Sequence, residues 1–136
     1  MNQLEALQAA LAGEHAALYG IGVAGGKLTG AKFQSATETF ERHRDNRDNL
    51  AGLITAAGET PVAAEPAYDL PQPVTNAVSA SALILGIEQR LAAVYGDLVE
   101  AAEQPPVRQL AIDALLATAA SQVAWGGAPV ALPGAV

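Results

Sequence analysis

The sequence predicts an all-α protein, a bundle of four helices with one long crossover in the middle of the chain. Three observations carry this. Apolar residues recur at helical spacing in four stretches, glycines and prolines punctuate the chain between those stretches, and residues 58–73 (GETPVAAEPAYDLPQP) hold four of the eight prolines with no helical periodicity.

The first helix is expected over about residues 2–24. Asn2 followed by Glu5 is a capping-box-like start, and Leu4, Leu7, Leu11, Leu18 and Ile21 form a stripe that passes through Glu14. Glu14 should therefore point inward, with its neighbour His15 as the alternative for that face. Gly20, Gly22, Gly25 and Gly26 weaken the helix progressively and end it near Ala24. After a tight turn the second helix is expected over 28–57, with an inward stripe of Phe33, Ala36, Phe40, His43, Arg47, Leu50 and Ile54 and a glycine stop at Gly58.

The proline-rich stretch 58–73 is long for a loop without structure of its own. Near full extension it reaches roughly 50 Å, whereas a helix of about thirty residues is about 45 Å long. It can run the height of the bundle and start the third helix at the same end as the second. That helix is expected over 75–103, with Ile84, Ile87, Leu91, Val94 and Leu98 on its stripe and Glu88 and Tyr95 on the flank. Pro105 and Pro106 break the chain and open the fourth helix, which runs to about Trp125. The tail 126–136 (GGAPVALPGAV) is too rich in Gly and Pro for a helix and too apolar for water, and is expected to pack on the bundle or on a partner.

Composition limits the function classes. A chain of 136 residues is one domain by size, large enough for a core without staples. The absence of cysteine excludes thiolate metal sites, disulfides and thiol catalysis. A net charge of −7 with no Lys/Arg-rich run outside 42–47 argues against nucleic acid or anionic lipid as partner. The first residues lack an export signal, so a cytoplasmic protein is expected, and the most apolar window, Val74 to Ile87, is too short and too interrupted for a membrane span.

Two helices joined by a tight turn, a crossover, then two more is the connectivity of ferritin-like bundles. At mid-height the sequence places Glu14 on the first helix, His43 and Arg44 on the second and Glu88 on the third. Ferritin-like proteins that bind two metals put ligands at this level, a Glu on each of two helices and Glu-x-x-His on each of the other two. The pattern fails twice here. Phe40 stands three residues before His43, and the fourth helix has neither Glu nor His, only Asp113. A metal, iron or manganese, would have to use Glu14, His43 and Glu88. Arg47, one turn from His43 on the same stripe, favours instead a buried charge network of Glu14, His43, Arg47 and Glu88 without a metal or other cofactor, since a guanidinium neutralises carboxylates through paired hydrogen bonds. Arg42, Arg44, Asp45 and Asp48 are expected on a solvated face.

The segments EHAALYGIGVAGG, HRDNRDNL, the crossover GETPVAAEPAYDLP and the late VAW and APVALPG pieces resemble an actinobacterial ferritin-like family of uncharacterised function, over nearly the whole chain. The resemblance implies a four-helix ferritin-like fold, a homodimer and no assigned activity, and it supplies no catalytic residues. Other constellations fail on their residues. The glycines at 20, 22, 25 and 26 do not form GxGxxG and end a helix, and no serine triad is present. A structural or interaction module, an incomplete carboxylate-type metal protein and a small-molecule binder at the bundle centre or crossover remain as functional classes.

Overall fold

The computed structural model describes residues 1–133. Within them the chain forms α1 (Gln3–Gly25), α2 (Gly30–Ala56), α3 (Ala77–Ala101) and α4 (Pro105–Ala124), and no strand.

Each helix begins and ends where local chemistry dictates. Asn2 Oδ1 accepts from the Glu5 amide at 2.8 Å and the Glu5 carboxylate accepts from the Asn2 amide at 2.9 Å, the reciprocal box expected for α1. Asn76 caps α3 by accepting from the Ser79 amide at 2.9 Å, so α3 starts at Ala77, two residues later than its apolar pattern suggests. α2 starts at Gly30, after the buried Leu28 and the extended N-cap residue Thr29. It ends before Gly58, whose φ of +81° is the left-handed conformation that glycine adopts without a Cβ penalty. The amides of Glu103 and Gln104, just ahead of α4, donate to Gln3 Oε1 at 2.7 and 3.0 Å, fastening this corner to the start of α1.

α1 packs against both α2 and α3, and α3 also packs against α4, while α2 and α3 lie diagonally opposite and α2 meets α4 only loosely. The core is built from Leu7, Leu11, Ile21, Leu50, Ile54, Ile84 and Leu98. α1 and α3 approach closely because Gly20 leaves space for Ile87; a Cβ on Gly20 would lie 2.7 Å from Ile87 Cδ1. α3 is the one helix among the described residues long and apolar enough, by length and composition, to cross a membrane. In this fold it carries the buried Glu88 and is flanked by α1 and α4.

The crossover is clipped to α1. Gln8 Nε2 donates to Thr60 O at 2.8 Å, and Gln8 Oε1 accepts from the Val62 amide at 2.8 Å. His15 Nε2 donates to Val62 O at 2.9 Å, which makes His15 a crossover anchor and leaves the inward position to Glu14. Tyr68 packs on Tyr19 with ring centroids 5.8 Å apart.

Two expectations are corrected. Phe33 is 49% exposed, because it shares an open groove with Gly22, Gly25 and Gly26, which have no side chains to cover it. The tail folds back only at its root, where the Gly127 amide donates to Gln122 O at 2.8 Å and a Cβ on Gly127 would lie 2.9 Å from Leu85 Cδ1, whereas Val130 and Leu132 are exposed. Residues 134–136 of the expected tail lie outside the described residues.

Gln8→Ala removes both crossover hydrogen bonds. It is expected to lower stability by about 1 kcal/mol and to speed hydrogen exchange at the Val62 amide, measured by NMR, while leaving the α1 core amides protected.

Candidate functional site

Glu14 from α1, His43 from α2 and Glu88 from α3 meet at mid-height, each with no exposed surface. His43 Nδ1 lies 2.8 Å from Glu14 Oε1 and 2.9 Å from Oε2. On the other side of the ring, Nε2 is bonded to Glu88 Oε1. The imidazole thus spans the diagonal between α2 and α3 while holding α1.

Proton bookkeeping fixes the state of the centre. An ionised carboxylate only accepts hydrogen bonds, so a ring with a carboxylate on each nitrogen must carry both protons. His43 is an imidazolium. Burial alone would lower its pKa, but the hydrogen bonds and charges of Glu14 and Glu88 outweigh that and raise it to about 9. Burial pushes Glu14 above the usual carboxylate range despite His43. Burial also pushes Glu88 upward, but His43 and Arg42 overcome this and hold it below that range.

Glu88 differs from Glu14 because it has a second cation. Arg42 Nη2 donates to Glu88 Oε2 at 2.5 Å. Two carboxylates, one imidazolium and one guanidinium sum to zero, which permits such a cluster inside a bundle. Other polar groups line the centre. The Tyr95 hydroxyl stands beside Glu14 and is kept protonated, first by burial and then by the charge of Glu14. Gln122 Nε2 reaches the backbone carbonyl of Glu88 at 3.5 Å. Trp125 Nε1 donates to Thr39 Oγ1 at 3.3 Å.

Among the residues expected at this site, Glu14, His43 and Glu88 come together and Arg47 does not. Arg47 Nε donates to Asp48 Oδ1 at 3.0 Å near the surface. Arg42, expected on the solvated face, supplies the guanidinium instead. A stripe records the direction of each Cα–Cβ bond, whereas an arginine on the flank carries its charge inward along a flexible stem. Glu88, itself on the flank of its stripe, was the signal for a cation beside that stripe. Arg44, Asp45 and Asp48 are exposed as expected.

The donor set departs from the two-metal carboxylate pattern. Both ring nitrogens of His43 are occupied by carboxylates, α4 offers Thr118 and Gln122 at the core, and its one acid, Asp113, is exposed and bonded to Gln109 at 2.9 Å. Among the described residues no group of three or more His, Cys, Asp or Glu is arranged to hold a metal ion.

Two outcomes test this geometry. Arg42→Ala should cost about 2 kcal/mol in chemical denaturation, the scale of a hydrogen bond to a charged group, and Arg47→Ala less than about 0.5 kcal/mol. His43 has a folded pKa of about 9 against an ordinary value of 6.5. Its stabilisation is therefore fully present below pH 6.5 and lost as pH rises through about 9. The melting temperature should fall across that window, and His43→Gln should abolish this alkaline decline.

No curated protein matches the chain. Among solved structures, a conserved hypothetical protein of Mycobacterium tuberculosis is similar at 31% identity and a TM-score of 0.88, covering 90% of this chain and 93% of that one. The bacterioferritin-related protein of Bacteroides fragilis, a dodecameric thioferritin, is similar at 21% identity and a TM-score of 0.75, covering 90% of this chain and 81% of that one. The latter likeness shows the fold, a ferritin-like four-helix bundle. The family model described as "Domain of unknown function (DUF4439)" matches residues 6–136, and the chain belongs to that family.

Proposed function

We propose that this protein is a metal-free ferritin-like module with a structural or interaction role, in which a proton-carrying imidazolium occupies the centre where relatives of this fold bind metal. The supporting observation is the placement of a buried carboxylate on each nitrogen of His43. A metal would have to displace those protons and would face the Arg42 guanidinium across Glu88. The ring nitrogens and carboxylates at the centre are engaged with one another or with Arg42, and the unpartnered Tyr95 hydroxyl is held protonated, which supports a cohesive role over turnover.

The interaction role includes self-association. α4 presents Ile112, Leu116 and Val123 outward, and Leu116 is 60% exposed. The actinobacterial relative supports an actinobacterial origin, and the dodecameric neighbour gives precedent for assembly in this fold; the homodimer is our own choice.

A second reading, small-molecule binding, is favoured by a cavity of about 540 Å³ between α1, α3 and the crossover, lined by Gly13, Gly20, Leu70, Ile87, Leu91 and Arg90. A thermal-shift screen across metabolite classes tests it, and the absence of any hit would leave it without support.

Elemental analysis after expression in medium supplemented with iron and manganese should find well under one metal per chain, and a chelator should leave the melting temperature unchanged. One or two tightly held metals per chain, lost in His43→Gln, would instead establish a carboxylate-type metal protein using Glu14, His43 and Glu88. Light scattering should give a dimer, with Leu116→Asp shifting it to monomer.

A further inference from the structure

We propose that the seam between α2 and α4 binds a small organic monocarboxylate, its carboxylate held by Arg42, Asn46 and Thr118. The two helices meet only loosely, and between them lies a cavity of about 500 Å³. Asn46 and Asn49 of α2 and Leu110, Ala114 and Ala117 of α4 line it, with Asp113 also on its wall.

Three buried polar atoms on these two helices have no hydrogen-bond partner, Arg42 Nη1 and Asn46 Nδ2 on α2 and Thr118 Oγ1 on α4, and of these residues Asn46 lines the cavity itself. Helical register brings them together. Arg42 lies one turn before Asn46, which lines the cavity, and Thr118 lies next to Ala117 and one turn after Ala114, which both line it. Thr118 is fully buried. The fourth such atom, the Tyr95 hydroxyl, stands beside Glu14 and belongs to the central network.

The chemistry of the three atoms selects the ligand. A guanidinium arm and an amide nitrogen can only donate, and a hydroxyl can donate, so the complementary group is an acceptor. A planar carboxylate suits the free arm of a guanidinium whose other arm is committed to Glu88. Its charge should be single. The Asp113 carboxylate on the cavity wall, bonded to Gln109 at 2.9 Å, opposes a second negative charge. Leu110, Ala114 and Ala117 offer an apolar wall to a short carbon chain. The site does not depend on the metal-free reading, because it draws on none of Glu14, His43 or the metal content.

The test is an NMR titration of the native protein with sodium butyrate, following the backbone amides of Asn46 and Ala117, beside butyramide, inorganic phosphate and sodium chloride at matched ionic strength. Butyrate is expected to give saturable shifts at these amides and the other three none. Thr118→Val, nearly isosteric, and Arg42→Lys, which keeps the charge on Glu88 but loses the second arm, should each weaken binding roughly tenfold. Circular dichroism melts establish that both variants fold, and Arg90→Gln in the other cavity should bind as the native protein does. The proposal is overturned if butyrate gives no saturable shift, if butyramide or phosphate saturates equally, if Thr118→Val and Arg42→Lys titrate like the native protein, or if the shifts map beside Arg90.

Discussion

The structure depends on one proton. With His43 neutral and both carboxylates ionised, one of them would face a ring nitrogen that has no hydrogen to give, and the bundle centre would hold an unbalanced negative charge. With His43 doubly protonated, Glu14 and Glu88 each receive a charge-assisted hydrogen bond, and Arg42 completes neutrality. Everything else at mid-height follows from keeping this group dry. The Leu11, Ile21, Leu50 and Ile84 side chains are buried, and the low dielectric they create strengthens each bond while making the loss of any one costly.

The topology explains why the three residues meet despite their separation in sequence. A crossover of bundle height makes α2 and α3 run the same way and sets them on a diagonal, so residues at their midpoints face one another across the centre instead of side by side. An imidazole with a carboxylate at either end has the length to bridge that diagonal. Gln8, nearly two turns before Glu14, and His15, the residue after it, hold the crossover against the outer side of the same helix that supplies Glu14.

Much of this was legible in the sequence, and the exceptions have physical causes. Glu14 interrupting a leucine stripe, and His43 and Glu88 at matching heights, are statements about period, which sequence records directly. The capping residues Asn2 and Asn76 and the stop at Gly58 are local chemistry, although Asn76 fixes the start of α3 more tightly than the apolar pattern does. Arg42 was hidden because the reach of a long stem is a tertiary property, and Phe33 because the spacing of apolar residues along α2 does not reveal that it meets the glycines Gly22, Gly25 and Gly26. The loose α2–α4 contact had no sequence signal, since small residues such as Ala114 and Ala117 serve equally in a tight seam and an open one.

The diagonal placement of α2 gives the bundle an uneven architecture. α1 and α3 pack closely along the middle of the bundle, with α2 packed on α1 and α4 on α3, and α2 reaches the α3–α4 side chiefly by polar bonds from Arg42, His43 and Thr39. Polar bonds have short range and release abruptly, whereas apolar packing yields by degrees. Toward α3 and α4, α2 is thus held at a few points, so the helix that carries the central proton is joined to that half of the bundle by bonds and not by a packed seam.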